Sequence, residues 1–336
     1  MPRAVRSNER LALLALGCLA CGAAWAEEPA RWLERMNEAL AQRNYSGTFS
    51  HWQDGQVEML RIIHRVQDGV VSEHLASLDG SGREFIRTGS ELTCYLPDKR
   101  TVVVEQRPLQ EPLMVFPAVS EQTASFYDIR EVQRTRFNRR DTHLISVSPK
   151  DEFRYGYRLW IDDKTAMPLK TQLCDARGRV IEQIVFSDLT LSSHIADAAF
   201  RPEVSTEGFQ WVRAPAPLRG PPPPGSPGWT ATRLPPGFRM TVRAAQTLPG
   251  SAGPVDHLVF TDGLASVSVF VEIQQGTAAP PPGVAETAMV GSSSAFSTVV
   301  DGHKVTAVGE VPPATVQAIA TQVKAEGIPA PAPRSH

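Results

Sequence analysis

The segment Arg213–Gly228 constrains the fold of this chain more than any other part of the sequence. It contains seven prolines among 16 residues. A proline has no amide hydrogen and fixes φ, so such a segment forms neither a helix nor a central strand. We interpret residues 213–228 as an extended linker between an N-terminal domain, residues 27–212, and a C-terminal domain, residues 229–326.

The composition changes across this linker. Residues 27–212 hold 51 charged side chains, whereas residues 229–326 hold only 12. The last residues, 327–336, are again interrupted by prolines, and we expect a disordered tail there. The sequence therefore predicts two domains with different surfaces.

The N-terminus has the order of segments typical of a secretory signal peptide. Arg3, Arg6 and Arg10 precede an apolar run, residues 11–20, which is followed by the small-x-small site Ala24-Trp25-Ala26. The apolar run is too short to span a bilayer, which takes roughly 20 residues. The sequence predicts Sec-type export to the periplasm, with cleavage after Ala26.

Removal of residues 1–26 takes away three arginines and one glutamate, so the formal charge changes from −2 to −4. This mildly acidic balance argues against a nucleic-acid partner, which binds a basic surface.

Two cysteines, Cys94 and Cys174, remain after cleavage. They are a disulfide candidate in an oxidising compartment, or alternatively two small buried hydrophobic residues.

The N-terminal domain begins with a helix pattern and continues with strand patterns. Trp32, Leu33, Met36, Ala39 and Leu40 recur at helical spacing. Eleven candidate strands follow: 45–51, 57–66, 70–78, 84–88, 91–96, 99–105, 127–133, 139–148, 154–161, 168–175 and 180–189. Many short strands joined by tight turns predict an antiparallel sheet that is strongly curved or nearly closed.

One long apolar segment, residues 107–123, lacks any strand pattern. We expect it to be buried as a lid or plug inside the curved sheet, with Leu113, Met114 and Phe116 as candidate cavity-lining residues. Trp52 and Trp160 are further candidates for the same cavity. For all five residues, simple filling of a hydrophobic core is the competing interpretation.

The C-terminal domain is predicted to be smaller and α+β. Strands are expected at 258–261 and 266–273, a hairpin at 299–305, and a final helix that carries Val316, Ile319, Ala320 and Val323. Its candidate partner-binding residues are Asp262, Gly263 and Leu264, in a predicted turn, and Phe270. Phe270 is a candidate because it lies on the otherwise polar face of its strand.

Sequence patterns of catalytic and metal sites are lacking. No Gly-x-Ser-x-Gly nucleophile motif, complete dinucleotide loop or His-x-x-x-His pair occurs in the chain. We therefore expect a binding protein that is not an enzyme and that carries no metal or cofactor. A lipid-degrading enzyme assembled from residues far apart in sequence remains the alternative of that class.

Several stretches resemble the MucB/RseB family. They are residues 44–49, 58–65, 77–80, 95–98, 155–162, 260–272 and 308–312, and they occur in the expected order along nearly the whole chain after residue 26. The resemblance implies an N-terminal curved antiparallel sheet, a half-barrel with helices like that of lipoprotein carriers, which wraps an apolar cavity. It also implies a smaller C-terminal α+β domain.

The same resemblance implies a role. Such a protein binds the periplasmic segment of a membrane-anchored anti-sigma factor of the MucA/RseA type and protects it from site-one proteolysis. Lipid or lipopolysaccharide fragments weaken that complex. A periplasmic lipid or lipoprotein carrier is the alternative. The identity of the lipid, and whether the chain forms a homo-oligomer, stay open at this point.

Overall fold

The structure, a computed structural model, describes residues 29–107, 113–114, 121–214, 228–246, 253, 255–273 and 285–326. The predicted signal peptide, the tail and most of the proline-rich linker lie outside the described residues. Two large sheets are present in the described part. One has twelve strands and belongs to the N-terminal half of the chain, and the other has six strands and belongs to the C-terminal half.

The twelve-stranded sheet is preceded by helix α1, Pro29–Gln42, and interrupted by a short helix α2, Glu121–Ala124. Its strands are β1 Tyr45–Gln53, β2 Gln56–Gln67, β3 Val70–Ser77, β4 Glu84–Thr88, β5 Glu91–Leu96, β6 Thr101–Gln106, β7 Tyr127–Phe137, β8 Arg140–Pro149, β9 Gly156–Asp162, β10 Pro168–Cys174, β11 Val180–Leu191 and β12 Gln210–Arg213. All eleven strands predicted in this domain are confirmed, with ends shifted by at most a few residues.

The strand order is β12-β6-β5-β4-β3-β2-β1-β11-β10-β9-β8-β7. The chain runs outward from β1 to β6 by hairpins, and then returns from the other edge, β7, inward to β11 beside β1. The sheet is curved and unclosed, as predicted for a half-barrel. Strand β12 was not predicted; it pairs in parallel with β6 and leads the chain to the linker.

The core of this domain lies between the inner face of the sheet and α1. Helix α1 buries Trp32, Leu33, Met36 and Ala39, the face that its helical spacing predicts. These side chains pack with inward-facing residues of several strands, among them Phe49 and Ile145. Because period-two alternation puts one face of each strand against the helix, the inner face is apolar and can line a cavity.

The C-terminal domain contains a pair β13 Gly228–Ala231 with β20 Val323–Glu326, and a six-stranded sheet in the order β14-β15-β16-β19-β18-β17. The strands of that sheet are β14 Arg239–Gln246, β15 Val255–Thr261, β16 Ser266–Ile273, β17 Glu286–Val290, β18 Ser293–Val300 and β19 His303–Gly309. Helix α3, Pro313–Ala320, packs against this sheet. The α+β prediction is confirmed.

The final helix is shorter than its apolar pattern predicted. Helix α3 ends at Ala320, and Val323 lies on β20 and pairs with Ala231. Val323 is buried all the same, in one core with Val316, Ile319 and Trp229. The position of Val323 fits both the spacing of a helix and the alternation of a four-residue strand, so the sequence pattern does not distinguish the two elements.

The disulfide candidate is not formed in this structure. Cys94 and Cys174 are both buried free thiols. Cys94 lies on β5 and Cys174 on β10, with five strands between them in the sheet. Neighbouring strands are about 4.8 Å apart, and a bridge requires Cα atoms within roughly 7 Å. The alternative interpretation, two small buried hydrophobic side chains, describes both residues.

Candidate functional site

A pocket of about 580 Å³ lies between the inner face of the N-terminal sheet and the C-terminal domain. Its walls are Phe49, His51, Leu60, Leu75, Leu113, Met114, Tyr157, Glu182, Ile184, Leu264, Ala265, Ser266 and Glu310. The volume is in the range of pockets that enclose a small-molecule ligand. Residues of both domains line the pocket, so a ligand in it touches both.

The N-terminal wall follows from strand alternation. Phe49 and His51 are two residues apart on β1 and share the inner face, and His51 lies opposite Ile184 of β11. Leu60 of β2 lies opposite Phe49. This wall is apolar except where His51 and Glu182 introduce polar groups.

Leu113 and Met114, predicted to line a cavity, do line this pocket. The amide of Leu113 donates a 3.0 Å hydrogen bond to Glu73 Oε2, which also accepts from Arg87 Nη1 at 3.0 Å. Glu73 and Arg87 are each only 2% exposed, so this pair provides a fixed attachment point for the segment. Phe116, the third residue predicted in this segment, lies outside the described residues.

Trp52 and Trp160, by contrast, do not line the pocket. Trp52 follows His51 on β1 and lies opposite Val57, which is 63% exposed, so its side chain belongs to the outer face of the sheet. Trp160 lies between Leu159 and Ile161, two inward-facing core residues. The ammonium of Lys170 lies 4.6 Å from the centre of the Trp160 ring. Neither tryptophan is therefore part of this pocket, and contact of either one with a lipid stays a prediction.

The turn at Asp262 joins the two domains. Asp262 Oδ2 accepts a 2.6 Å hydrogen bond from Arg154 Nη1 and a 3.0 Å bond from the hydroxyl of Tyr127, and the side chains of Asp262 and Arg154 are both fully buried. Asp262 Oδ1 accepts from the amides of Leu264 and Ala265 at 2.8 and 2.7 Å. Burial, and then the Asp262 carboxylate, raise the pKa of Tyr127.

Asp262 thus makes an interdomain contact in this structure, and a partner contact at this residue stays a prediction. Gly263 is exposed with φ of 100°, and Leu264 packs against the N-terminal core and lines the pocket. Phe270 is half-buried and stacks on His257, with ring centres 4.7 Å apart. A partner contact at Gly263 or Phe270 stays a prediction.

A second interdomain contact lies at the polar end of the pocket. Glu182 Oε1 lies 3.0 Å from His51 Nε2, and Glu182 Oε2 accepts from Gln53 Nε2 at 2.9 Å and from Ser292 Oγ at 2.8 Å. Ser292 Oγ also lies 2.5 Å from Glu310 Oε1. A hydroxyl has one hydrogen, so Ser292 cannot donate fully to both Glu182 and Glu310.

These hydrogen bonds and the burial of the contact shift the pKa values of its ionisable groups. Hydrogen bonding to Glu182 raises the pKa of His51. Although burial acts in the opposite direction, the bonds from His51 and Ser292 lower the pKa of Glu182. Burial, and also the neighbouring Glu182 carboxylate, raise the pKa of Glu310. Glu310 is therefore the less satisfied of the two carboxylates.

Five residues of these contacts were not predicted from the sequence: His51, Glu182, Ser292, Glu310 and Arg154. A signal for two of them was available, because His51 and Glu182 occupy inward-facing positions of strands whose neighbouring inward positions are apolar. Ser292 immediately precedes β18 and Glu310 immediately follows β19, so their contact is made by the pairing of these two strands and has no local sequence pattern.

Within the described ranges, no group of three or more His, Cys, Asp or Glu side chains is arranged to hold a metal ion. In the same part of the chain, no helix combines the length and the apolar character that crossing a bilayer requires. The pocket itself has apolar walls and one end that can form hydrogen bonds.

Comparison with known proteins gives a consistent result. The profile of the MucB/RseB N-terminal domain matches residues 28–204, and that of the MucB/RseB C-terminal domain matches residues 223–324. The sigma factor AlgU regulatory protein MucB of Pseudomonas aeruginosa is 32% identical over 316 residues, which cover 94% of this chain and 96% of that protein. The sigma-E factor regulatory protein RseB of Escherichia coli K12 is 27% identical over 302 residues, 87% of this chain and 89% of that protein.

Solved structures are similar over the same length. A complex of Pseudomonas aeruginosa MucA/MucB matches with a TM-score of 0.69 and 29% identity, and covers 89% of this chain and 99% of that chain. A crystal structure of MucB matches with a TM-score of 0.56 and 28% identity, and covers 90% of this chain and 99% of that chain. The structure is thus more similar to the MucB chain of the complex.

Proposed function

Because this chain belongs to the MucB/RseB family, we propose that it acts in the periplasm and binds the periplasmic segment of a membrane-anchored anti-sigma factor. While bound, the segment is shielded from site-one proteolysis, so the sigma factor stays inhibited. Lipid or lipopolysaccharide fragments that enter the interdomain pocket weaken the complex.

The observation that carries this proposal is the match to both family domains together with the higher similarity to MucB in its complex with MucA. The basic, apolar and small-x-small order of residues 1–26 supports export. Sequencing of the mature N-terminus is expected to find Glu27 first, and a retained residue 1 would contradict export by cleavage.

The pocket provides a physical basis for release. Each CH₂ of an acyl chain buried there contributes about 0.8 kcal/mol. An effector displaces a partner only if it binds one arrangement of the protein more tightly than the other. Since Leu264 and Glu310 of one domain face Phe49 and Ile184 of the other across the pocket, a ligand there can favour a particular domain arrangement.

The proposal is tested by calorimetry with the full mature chain and the periplasmic peptide of the anti-sigma factor from the same organism. We expect a tight complex, and a weaker one when a lipid that binds the chain is present at saturation. Absence of any complex would contradict the proposed partner. A complex of unchanged affinity at saturating lipid would contradict the regulation alone.

An alternative function is that of a periplasmic lipid or lipoprotein carrier, which the curved sheet and its 580 Å³ pocket favour. A carrier delivers its cargo to an acceptor, whereas a regulator retains an anti-sigma factor. Affinity capture from an envelope extract distinguishes them, because a carrier is expected to recover lipoproteins and a regulator the anti-sigma factor.

A further inference from the structure

The interdomain pocket has two ends of different chemistry. One end is apolar and is formed by Phe49, Leu60, Leu75, Leu113, Met114, Ile184 and Leu264. The other end is polar, with His51, Glu182 and Glu310. It lies where β1 approaches its hairpin with β2, because Gln53 at the end of β1 bonds to Glu182 and to Ser292. A chain-like ligand that fills the pocket therefore has one apolar and one polar end.

Hydrogen bonds at the polar end are unevenly distributed between the two carboxylates. Both oxygens of Glu182 have partners, in His51, Gln53 and Ser292. Glu310 Oε1 shares the single hydrogen of Ser292, and Glu310 Oε2 makes no hydrogen bond to any residue that the structure describes. A carboxylate oxygen accepts hydrogen bonds, and Glu310 is an exposed residue that lines the pocket, so Oε2 is an acceptor open to solvent or to a ligand.

The charge of the pocket wall is unfavourable for an anion. Among the described residues that line the pocket, none is lysine or arginine. The one basic side chain in the lining, His51, already faces Glu182 at 3.0 Å. A carboxylate or phosphate placed at this end would be next to two carboxyl groups without a cation of its own, and like charges repel. Solvent reduces this repulsion at Glu310, which is exposed, more than at the half-buried Glu182.

We propose, on the basis of the function proposed above, that this pocket selects an alkyl or acyl chain whose polar end is uncharged and donates a hydrogen bond, as a hydroxyl or an amide N–H does. Glu310 Oε2 accepts that hydrogen bond. A negatively charged group on the same ligand remains outside the pocket.

Three ligands with the same chain length test the proposal: dodecan-1-ol, which is uncharged and donates; methyl dodecanoate, which is uncharged and only accepts; and dodecanoate, which is negative. Their affinities for the full mature chain are measured at pH 7.5 by displacement of the neutral dye N-phenyl-1-naphthylamine. We expect dodecan-1-ol to bind at least about tenfold more tightly than dodecanoate, and more tightly than methyl dodecanoate.

The variant Glu310→Gln tests the assigned residue, since it retains the size of the side chain and removes its charge. The preference for dodecan-1-ol over dodecanoate is expected to fall to about threefold or less, because the repulsion is reduced. Glu286→Gln is the matched control, since Glu286 is an exposed acidic residue of the same domain on β17 that does not line the pocket. This control is expected to keep the full preference.

The possible results are distinguishable. Equal affinity of wild type for dodecan-1-ol and dodecanoate overturns the selectivity, while lipid binding and the proposed regulation stand. If Glu310→Gln has a normal melting temperature and keeps the full preference for dodecan-1-ol over dodecanoate, the role of Glu310 is overturned. If none of the three ligands displaces the dye, the lipid part of the proposed function is contradicted, and the selectivity with it.

Discussion

Replacement of Asp262 by asparagine is the sharpest test of how the two domains are joined. The side chains of Asp262 and Arg154 are both fully buried and lie 2.6 Å apart across the interface. Asp262→Asn keeps the shape of the side chain and the Oδ1 acceptor for the turn amides, but it leaves the Arg154 guanidinium without this counter-ion. The substitution therefore weakens the contact between the domains more than it weakens the local turn.

The magnitude follows from burial. Removal of one partner of a buried ion pair typically costs about 3–5 kcal/mol, because the remaining charge is uncompensated. Arg154 keeps a second carboxylate, since its Nε donates to Asp151 Oδ1 at 2.9 Å, and Asp151 is partly exposed. We therefore expect the lower end of that range, about 3 kcal/mol, which is on the order of a hundredfold in the equilibrium constant.

The assay is urea-induced unfolding followed by tryptophan fluorescence, combined with the radius of gyration from small-angle X-ray scattering without urea. The variant is expected to unfold at lower urea and to have a larger radius. Asp301→Asn is the control, because Asp301 is an exposed turn residue of the same domain. Its expected change is within about 0.5 kcal/mol.

A double-mutant cycle with Arg154→Met completes this test. If the two side chains act as a pair, Asp262→Asn costs clearly less in the Arg154→Met background than in the wild type. Equal costs in both backgrounds, or a single-variant effect as small as that of the control, would refute the reasoning.

Three further outcomes are expected. Met114→Asp should fold normally but bind N-phenyl-1-naphthylamine at least tenfold more weakly than the wild type. The control Met240→Asp, at an exposed position outside the pocket, should bind the dye as the wild type does. Equal affinities of Met114→Asp and the wild type would show that Met114 does not contact the dye. His51 has a raised pKa, so its stabilising contribution should be present below its ordinary value of 6.5 and disappear as pH rises through the raised value. Denaturant titrations of wild type and His51→Gln should therefore differ at pH 5.5 and converge at pH 9, and a constant difference would contradict the ion pair. Alkylation of the denatured, unreduced mature chain, which lacks residues 1–26, should add two adducts by intact mass, at Cys94 and Cys174, and no adduct would indicate a bridge.

Most strands of the N-terminal sheet were predictable because each has a buried and a less buried face. The short strands β12, β13 and β20 were not, since four residues are too few to establish a period. All four residues of β12 are exposed. Its pairing with β6 depends on the path of the chain between β11 and β12, which local propensity does not determine.

The site was predictable only in part, for a geometrical reason. Alternation places Trp52 and His51 on opposite faces of β1, but it does not say which face is concave. The size and aromatic character of Trp52 favoured the wrong face, whereas the polar His51 lies on the inner one. Leu113 and Met114 line the pocket, and they were candidates because the hydrophobic residues of their segment have no strand pattern of their own.

The pairing of β13 with β20 has a practical consequence for experiments on this molecule. Gly228, the last residue of the predicted linker and the first of β13, lies directly opposite Glu326, the last described residue. Any affinity tag or fluorescent protein fused after residue 336 is therefore attached through a ten-residue spacer to the junction between the domains. A reporter intended to leave interdomain movement undisturbed belongs instead at a distant hairpin, such as Asp68-Gly69, where both residues are exposed.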